Sequence, residues 1–126
     1  MKLSHIALWT ADLEEAAAFW STYFDARIGE RYVSANRPGF VSRFLTLPDS
    51  DIRIELMEGP WVGPAQGEIC GWAHIAYSVG STEAVDKLAD RFGRAGLLVS
   101  PPRRTGDGYY EAVVRSPEGV MIEIVE

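Results

Sequence analysis

Residues 4–24 read SHIALWTADLEEAAAFWSTYF, and residues 73–92 read AHIAYSVGSTEAVDKLADRF. Each stretch sets His-Ile-Ala in an apolar run and passes directly into a segment with helical periodicity. A histidine among apolar neighbours is costly unless it has a partner. Two histidines in matching places point to a duplicated unit. The duplication continues downstream, where Ile54-Glu55-Leu56-Met57-Glu58 resembles Ile122-Glu123-Ile124-Val125-Glu126. A turn signal precedes each copy, Pro48-Asp49-Ser50 in one half and Pro117-Glu118-Gly119 in the other. Two copies are too few for a solenoid, so one supersecondary unit occurs twice.

Each unit reads as a strand, a helix and three more strands. Residues 3–9 alternate as a strand does. Asp12 is placed as an N-cap, with Glu14 and Glu15 in the first turn, where the helix dipole favours acids. The helix is expected to run to about Phe24, with Ala16, Phe19, Trp20 and Tyr23 as its buried stripe. In the second half Ser81 or Thr82 caps a helix that carries Val85, Leu88, Ala89 and Phe92, and Gly96 closes it. The remaining strands are expected at 28–33, 40–47 and 51–58, then at 97–100, 109–115 and 120–125. The result is βαβββ twice, an α+β fold with each helix on one face of a mostly antiparallel sheet. The modules span about 1–58 and 72–126 of a single domain and are joined by a linker over 59–71.

Strand side chains alternate between faces. Ile6 and Leu8 suit the helix-covered side, which sends His5, Ala7 and Trp9 to the other. Ile52, Ile54 and Leu56 oppose Arg53, Glu55 and Met57. In the second half Ile75, Tyr77 and Val79 oppose Trp72, His74 and Ala76, and Val120, Ile122 and Ile124 oppose Met121, Glu123 and Val125. His5, Glu55, His74 and Glu123 therefore all fall on the face away from the helix, at equivalent positions of the repeats. Taken singly, a strand histidine is most often a hydrogen-bonded structural residue and a strand glutamate a solvated charge. Taken together, under a pseudo-twofold that makes the far faces meet, the four are expected to form a divalent-cation site. Nitrogen and carboxylate donors suit Zn, Ni, Co, Fe or Mn. Glu58 and Glu126 read as solvent charges at strand ends.

The bulk properties narrow the partners. A chain of 126 residues has room for one sizeable core. A net charge of −6 argues against nucleic acid and anionic membranes as main partners. Cys70 is the one cysteine, it falls in the linker, and it excludes an internal disulfide. No apolar run approaches membrane-spanning length and no signal peptide is visible, so a cytoplasmic location is expected.

Four stretches, HIALWTADLEEAAAFW, IELME, HIAYSV and SPEGVMIEIVE, together resemble the vicinal oxygen chelate superfamily. That superfamily includes glyoxalase I, bleomycin and fosfomycin resistance proteins, extradiol dioxygenases and methylmalonyl-CoA epimerase. The resemblance covers nearly the whole chain. Ser116 stands where the family's closing motif usually has Asp. The resemblance implies a cup-shaped mixed sheet built of two βαβββ repeats with helices on the outer face. It also implies a small-molecule substrate and, commonly, a homodimer. Bleomycin-binding members lack the metal ligands. Dioxygenases and fosfomycin-modifying members have no carboxylate at the position of Glu55, and the epimerase has Gln there. His5, Glu55, His74 and Glu123 are therefore similar to the full glyoxalase set.

By that resemblance the activity is that of a metal-dependent lyase or isomerase of lactoylglutathione lyase type, acting on vicinal oxygens. Glu123 is the expected main base and Glu55 its counterpart. The alternatives are a bleomycin-type binding or antibiotic-resistance protein without turnover, and a dioxygenase or thiol transferase using the same metal. Two positions depart from bacterial glyoxalase I: Trp9 stands for an Arg that grips glutathione, and Gly59 for an Asn. Both departures remove tripeptide contacts. Trp9 and Arg53 are candidate substrate-binding residues, Trp9 by stacking and Arg53 as an anion partner on the face of Glu55. Residues 34–39, 59–64 and 101–108 are turn-rich or basic stretches that read first as ordinary surface loops; as alternatives, 59–64 is a candidate flank of the cup and 101–108 a candidate anion holder or lid.

Overall fold

A computed structural model describes residues 4–64, 72–106 and 108–126. The chain forms two compact units, Met1–Ala65 and Gln66–Glu126. Cys70, Asp107, the start of the first strand and the linker from 65 onward lie outside the described residues.

In the first unit β1 (His5–Trp9) is followed by α1 (Leu13–Phe24), β2 (Arg27–Ile28), β3 (Tyr32–Val33), β4 (Val41–Thr46) and β5 (Arg53–Glu58). The sheet runs β1-β5-β4-β2, with β3 also paired to β4. β1 and β5 are parallel and the other pairs antiparallel. Asp12 is the N-cap of α1, and its carboxylate accepts from the amides of Glu14 and Glu15. Leu13, Ala16, Ala17, Phe19 and Trp20 are buried, and α1 packs on β4 and β5, the strands that carry the buried Val41, Leu45, Ile54 and Leu56. Tyr23 of the expected stripe is only half-buried.

The strand expected at 28–33 is instead two short strands. Gly29 interrupts it: its amide donates to the Phe44 carbonyl at 2.7 Å, and a Cβ there would stand 2.9 Å from that same oxygen. So close a backbone approach admits only glycine and breaks the ladder.

In the second unit β6 (Ile75–Ser78) is followed by α2 (Thr82–Arg94), β7 (Leu98–Arg104), β8 (Tyr110–Arg115) and β9 (Met121–Val125). The sheet runs β6-β9-β8-β7, again with one parallel pair, β6 and β9. Ser81 caps α2. Just past its end Gly96 takes φ 71°, the left-handed turn for which glycine suits. Val85, Ala89 and Phe92 pack with Ala112, Val114, Ile122 and Ile124, all fully buried, while Leu88 is half-buried.

The strand expected at 97–100 extends through Pro101 and Pro102 to Arg104. β7 is an edge strand, and its register against β8 shifts twice. An edge with bulges is where a sheet tolerates proline. Among the described residues no helix is long and apolar enough to cross a membrane.

Candidate functional site

The parallel strand pair positions the candidate ligands in each unit. In the first, Ala7 lies opposite Glu55 and His5 opposite Arg53. In the second, Ala76 lies opposite Glu123, and His74 immediately precedes β6. Each glutamate thus stands opposite the residue two positions after its unit's histidine. Exposure alternates along β1, with His5, Ala7 and Trp9 outward. Glu55 and Glu123 are half-buried beside the fully buried Ile54, Leu56, Ile122 and Ile124, whose side chains take the helix side.

Within the second unit the structure brings the pair into contact: His74 Nε2 is 3.4 Å from Glu123 Oε2. Two donors bound to one tetrahedral ion at ~2.1 Å stand about 3.4 Å apart, so this pair fits two ligand positions of one cation. The donor chemistry fits as well, an imidazole nitrogen and a carboxylate oxygen. Both side chains remain solvent-accessible, at 45% and 21%.

In the first unit His5 contacts other groups. Its Nδ1 lies 3.4 Å from the Ser4 hydroxyl, and its ring meets Phe44 edge-on, with centroids 5.4 Å apart. Phe44 in turn lies opposite Glu55 on β4 and carries the Arg53 guanidinium over its ring at 4.6 Å. Among the described residues no three His, Cys, Asp or Glu side chains gather as a metal-holding group. The same register of one His and one Glu occurs once within each unit.

Several residues play parts that the sequence reading did not assign. Glu58 is no free solvent charge: its Oε2 accepts from the Leu13 amide at 2.7 Å. Alternation along β5 puts Glu58 on the face of Ile54 and Leu56, under α1, so the signal was present. Glu126 is held by Arg104 at 3.0 Å. In the basic stretch 101–108 the first four residues are strand, and its arginines are already paired. Arg103 donates to Ser100 Oγ at 2.6 Å and to Glu111 Oε1 at 3.2 Å, and Glu111 is 8% exposed. Each of its two arginines thus has a protein carboxylate as partner. Ser116, at the altered motif position, is buried. Its hydroxyl accepts from the Val120 amide and pairs with Glu118 at 2.6 Å, which holds the last turn.

Away from these residues, burial pushes the Tyr77 phenol well above its ordinary range. Tyr110 is also raised, chiefly because its hydroxyl donates to Asp86 on α2.

Trp9 lies in an aromatic group, with Phe40 at 6.1 Å and Trp61 at 6.4 Å between centroids. Two of the three turn-rich or basic stretches meet here. A Cβ on Gly39 would lie 2.8 Å from Pro60, and Arg37 stacks over Trp61 at 3.9 Å.

Comparison with known proteins adds the family. The model described as Glyoxalase/Bleomycin resistance protein/Dioxygenase superfamily matches residues 2–124. An uncharacterised protein of Pseudomonas aeruginosa is 32% identical over 125 residues, 96% of this chain and 85% of the relative. The fosfomycin resistance protein FosX of Mesorhizobium japonicum is 30% identical over 106 residues, 84% of this chain and 70% of that one. The crystal structure of a glyoxylase/bleomycin resistance protein/dioxygenase domain from Frankia sp. EAN1pec superposes with a TM-score of 0.85 at 20% identity, covering 99% of this chain and 96% of the other.

Proposed function

The chain belongs to the Glyoxalase/Bleomycin resistance protein/Dioxygenase superfamily, and from that premise we propose that it is a metal-dependent lyase or isomerase of glyoxalase type. The observation that carries the reading is the repeated register: a histidine and, opposite the residue two positions on, a glutamate, once in each unit. His5, Glu55, His74 and Glu123 are the proposed ligands of a divalent cation, one of Zn, Ni, Co, Fe or Mn. The cation, when bound, supplies Lewis-acid polarisation of two adjacent substrate oxygens.

The chain's own groups do the rest. Glu123 removes the proton from the carbon beside the substrate carbonyl and returns it at the neighbouring carbon, with Glu55 as its counterpart. His74, 3.4 Å from Glu123, keeps that carboxylate oriented. Arg53, two residues before Glu55 on β5 and over the Phe44 ring, is the proposed anchor for a negative group of the substrate. Trp9 supplies an apolar surface. Glutathione dependence is not part of the proposal, since Trp9 and Gly59 replace the contacts a tripeptide would need. The reading carries with it one functional domain of two modules, a homodimer and a cytoplasmic location.

Metal content by mass spectrometry tests it. The protein is expected to hold about one transition metal per full set of four ligands, and the His5→Ala/Glu123→Ala double variant to lose it. Uptake then justifies a substrate screen beginning with methylglyoxal and glutathione. If the wild-type protein takes up no divalent metal after reconstitution, the enzyme reading fails.

The 30% identity to a fosfomycin resistance protein favours a second reading, drug resistance by modification or sequestration. It predicts a raised fosfomycin tolerance in bacteria expressing the chain. Unchanged tolerance with active metal chemistry separates the two readings.

A further inference from the structure

We propose that Arg37, held on the rings of Trp61, Trp9 and Phe40, is a specificity-determining recognition site for an organic oxyanion, a carboxylate or phosphonate, on an apolar or aromatic body. This deepens the reading above by naming the substrate class, and it rests on that reading only in taking His5 and Glu55 as the reacting end.

Three observations within the first unit support it. The guanidinium of Arg37 lies 3.9 Å from the Trp61 ring centre, 5.8 Å from Trp9 and 5.9 Å from Phe40. A guanidinium placed over aromatic rings is attracted to their faces and can still offer N–H donors to an oxyanion. Among the described residues no carboxylate pairs with Arg37. Arg31, Arg43, Arg103 and Arg104 each have an acidic partner, whereas Arg37 meets aromatic rings.

The platform is also built by the backbone. The 34–40 loop is closed by Ser34 and Phe40, whose amides donate to the Phe40 and Arg37 carbonyls, and by the Arg37 amide donating to Ser34 Oγ. Gly39, at φ 86°, lies where a side chain would strike Pro60, and Gly59 lies beneath Trp61, whose ring stands 2.5 Å from where a Cβ would be. Two glycines thus let the two loops meet and put Arg37 against Trp61. The rings still present surface to a ligand: Trp9 is 41% exposed and Trp61 43%.

The position suits substrate recognition. Trp9 points to the same face as His5 and lies opposite Met57, two residues beyond Glu55. At a strand rise of ~3.3 Å per residue, Trp9 lies about 7 Å along the strand from the Glu55 row and about 13 Å from His5. A substrate engaging both ends carries its anionic group several bonds from its vicinal oxygens.

The test titrates metal-stripped protein with phenylphosphonate and, in parallel, benzoate, read by tryptophan fluorescence, with 1-phenylethanol as the neutral control. At least one anion is expected to quench saturably, and the stronger of the two identifies the oxyanion. R37A is expected to weaken binding about tenfold or more, and R37K, which keeps the charge but loses the planar fork, by a smaller factor. The same titration on the His5→Ala/Glu123→Ala variant is expected to give the wild-type affinity. Anion binding that survives there while metal uptake fails would separate this proposal from the enzyme reading. The proposal is overturned if neither anion quenches saturably, if 1-phenylethanol binds as well as the anions, or if R37K and R37A bind like wild type. Should R37A fail to fold, R37K alone decides.

Discussion

His74 Nε2 stands 3.4 Å from Glu123 Oε2, and the strand register that joins them recurs at His5 and Glu55. The proposed double role of Glu123, ligand and base, is dissected by charge removal without loss of shape. Glu123→Gln is expected to lower turnover on a vicinal-oxygen substrate by roughly 10²–10⁴-fold, the usual worth of a positioned general base. Glu55→Gln is expected to cost less, as the epimerase-like pattern with Gln at that position suggests. Steady-state rates with metal content measured on each variant decide the matter. Equal rates for Glu123→Gln and the wild type at equal metal loading would remove Glu123 from the proton transfer.

A second glutamate is structural. The first three amides of α1 are met by two acids: Glu58 Oε2 takes the Leu13 amide, and Asp12 takes those of Glu14 and Glu15. Glu58 thereby ties the end of β5 to the start of α1 and puts negative charge at the positive helix end. Glu58→Ala leaves a part-buried donor unmet and is expected to destabilise by about 1–3 kcal/mol. Glu58→Gln, which keeps an acceptor, is expected to cost less. Urea unfolding midpoints measure both, and a Glu58→Ala midpoint equal to wild type would contradict the capping role.

These three glutamates show what the sequence made legible. Period-two alternation assigns Glu55 and Glu123 to the far face and, by the same rule, Glu58 to the helix face; only the strand-end position suggested solvent instead. The helix caps Asp12 and Ser81 were visible because their chemistry is local. The split of 28–33 was not visible, since it depends on how closely Gly29 approaches the Phe44 carbonyl on another strand. The Arg103–Glu111 and Arg104–Glu126 pairs were hidden for the same reason. They depend on the register of a bulged edge strand, which no local pattern encodes. Arg37 stayed hidden because its partners, Trp9 and Trp61, lie on segments that meet only in the folded unit.

Gly59 is the hinge of that meeting. An Ala Cβ there would stand 2.5–2.9 Å from three atoms of the Trp61 ring. Trp61 is partly exposed, so the ring has room to swing toward water rather than distort the backbone. Gly59→Ala is therefore expected to cost little stability, about 1 kcal/mol, the worth of an exposed cation–π contact. It is expected to shift Trp61 emission to the red and to weaken phenylphosphonate binding along with it. Unfolding curves and fluorescence spectra measured together test this. A large stability loss with unchanged emission would mean that the backbone yields instead of the ring.

The start of α2 supplies a pH dependence with a definite sign. Ser81 Oγ accepts from the Ala84 amide at 3.2 Å. Glu83 in the first turn is held below its ordinary carboxylate range, first by its own backbone amide and then by the Ser81 and Thr82 hydroxyls. A carboxylate whose pKa falls on folding releases its proton more readily in the native state. Its stabilising contribution is therefore present above the unfolded-state value and is lost as pH drops through the folded-state value. Glu83→Gln is expected to be less stable than wild type at neutral pH, and the gap should close in strong acid, where both side chains are uncharged. Ser81→Ala removes the cap, an expected loss of about 0.5–2 kcal/mol, and should also narrow the gap attributable to Glu83, because one of its hydroxyl partners is gone. Urea midpoints of the single and double variants, measured from acid to neutral pH, give both quantities. A wild-type advantage over Glu83→Gln that persists unchanged in strong acid would show that Glu83 acts through something other than its charge at the helix start.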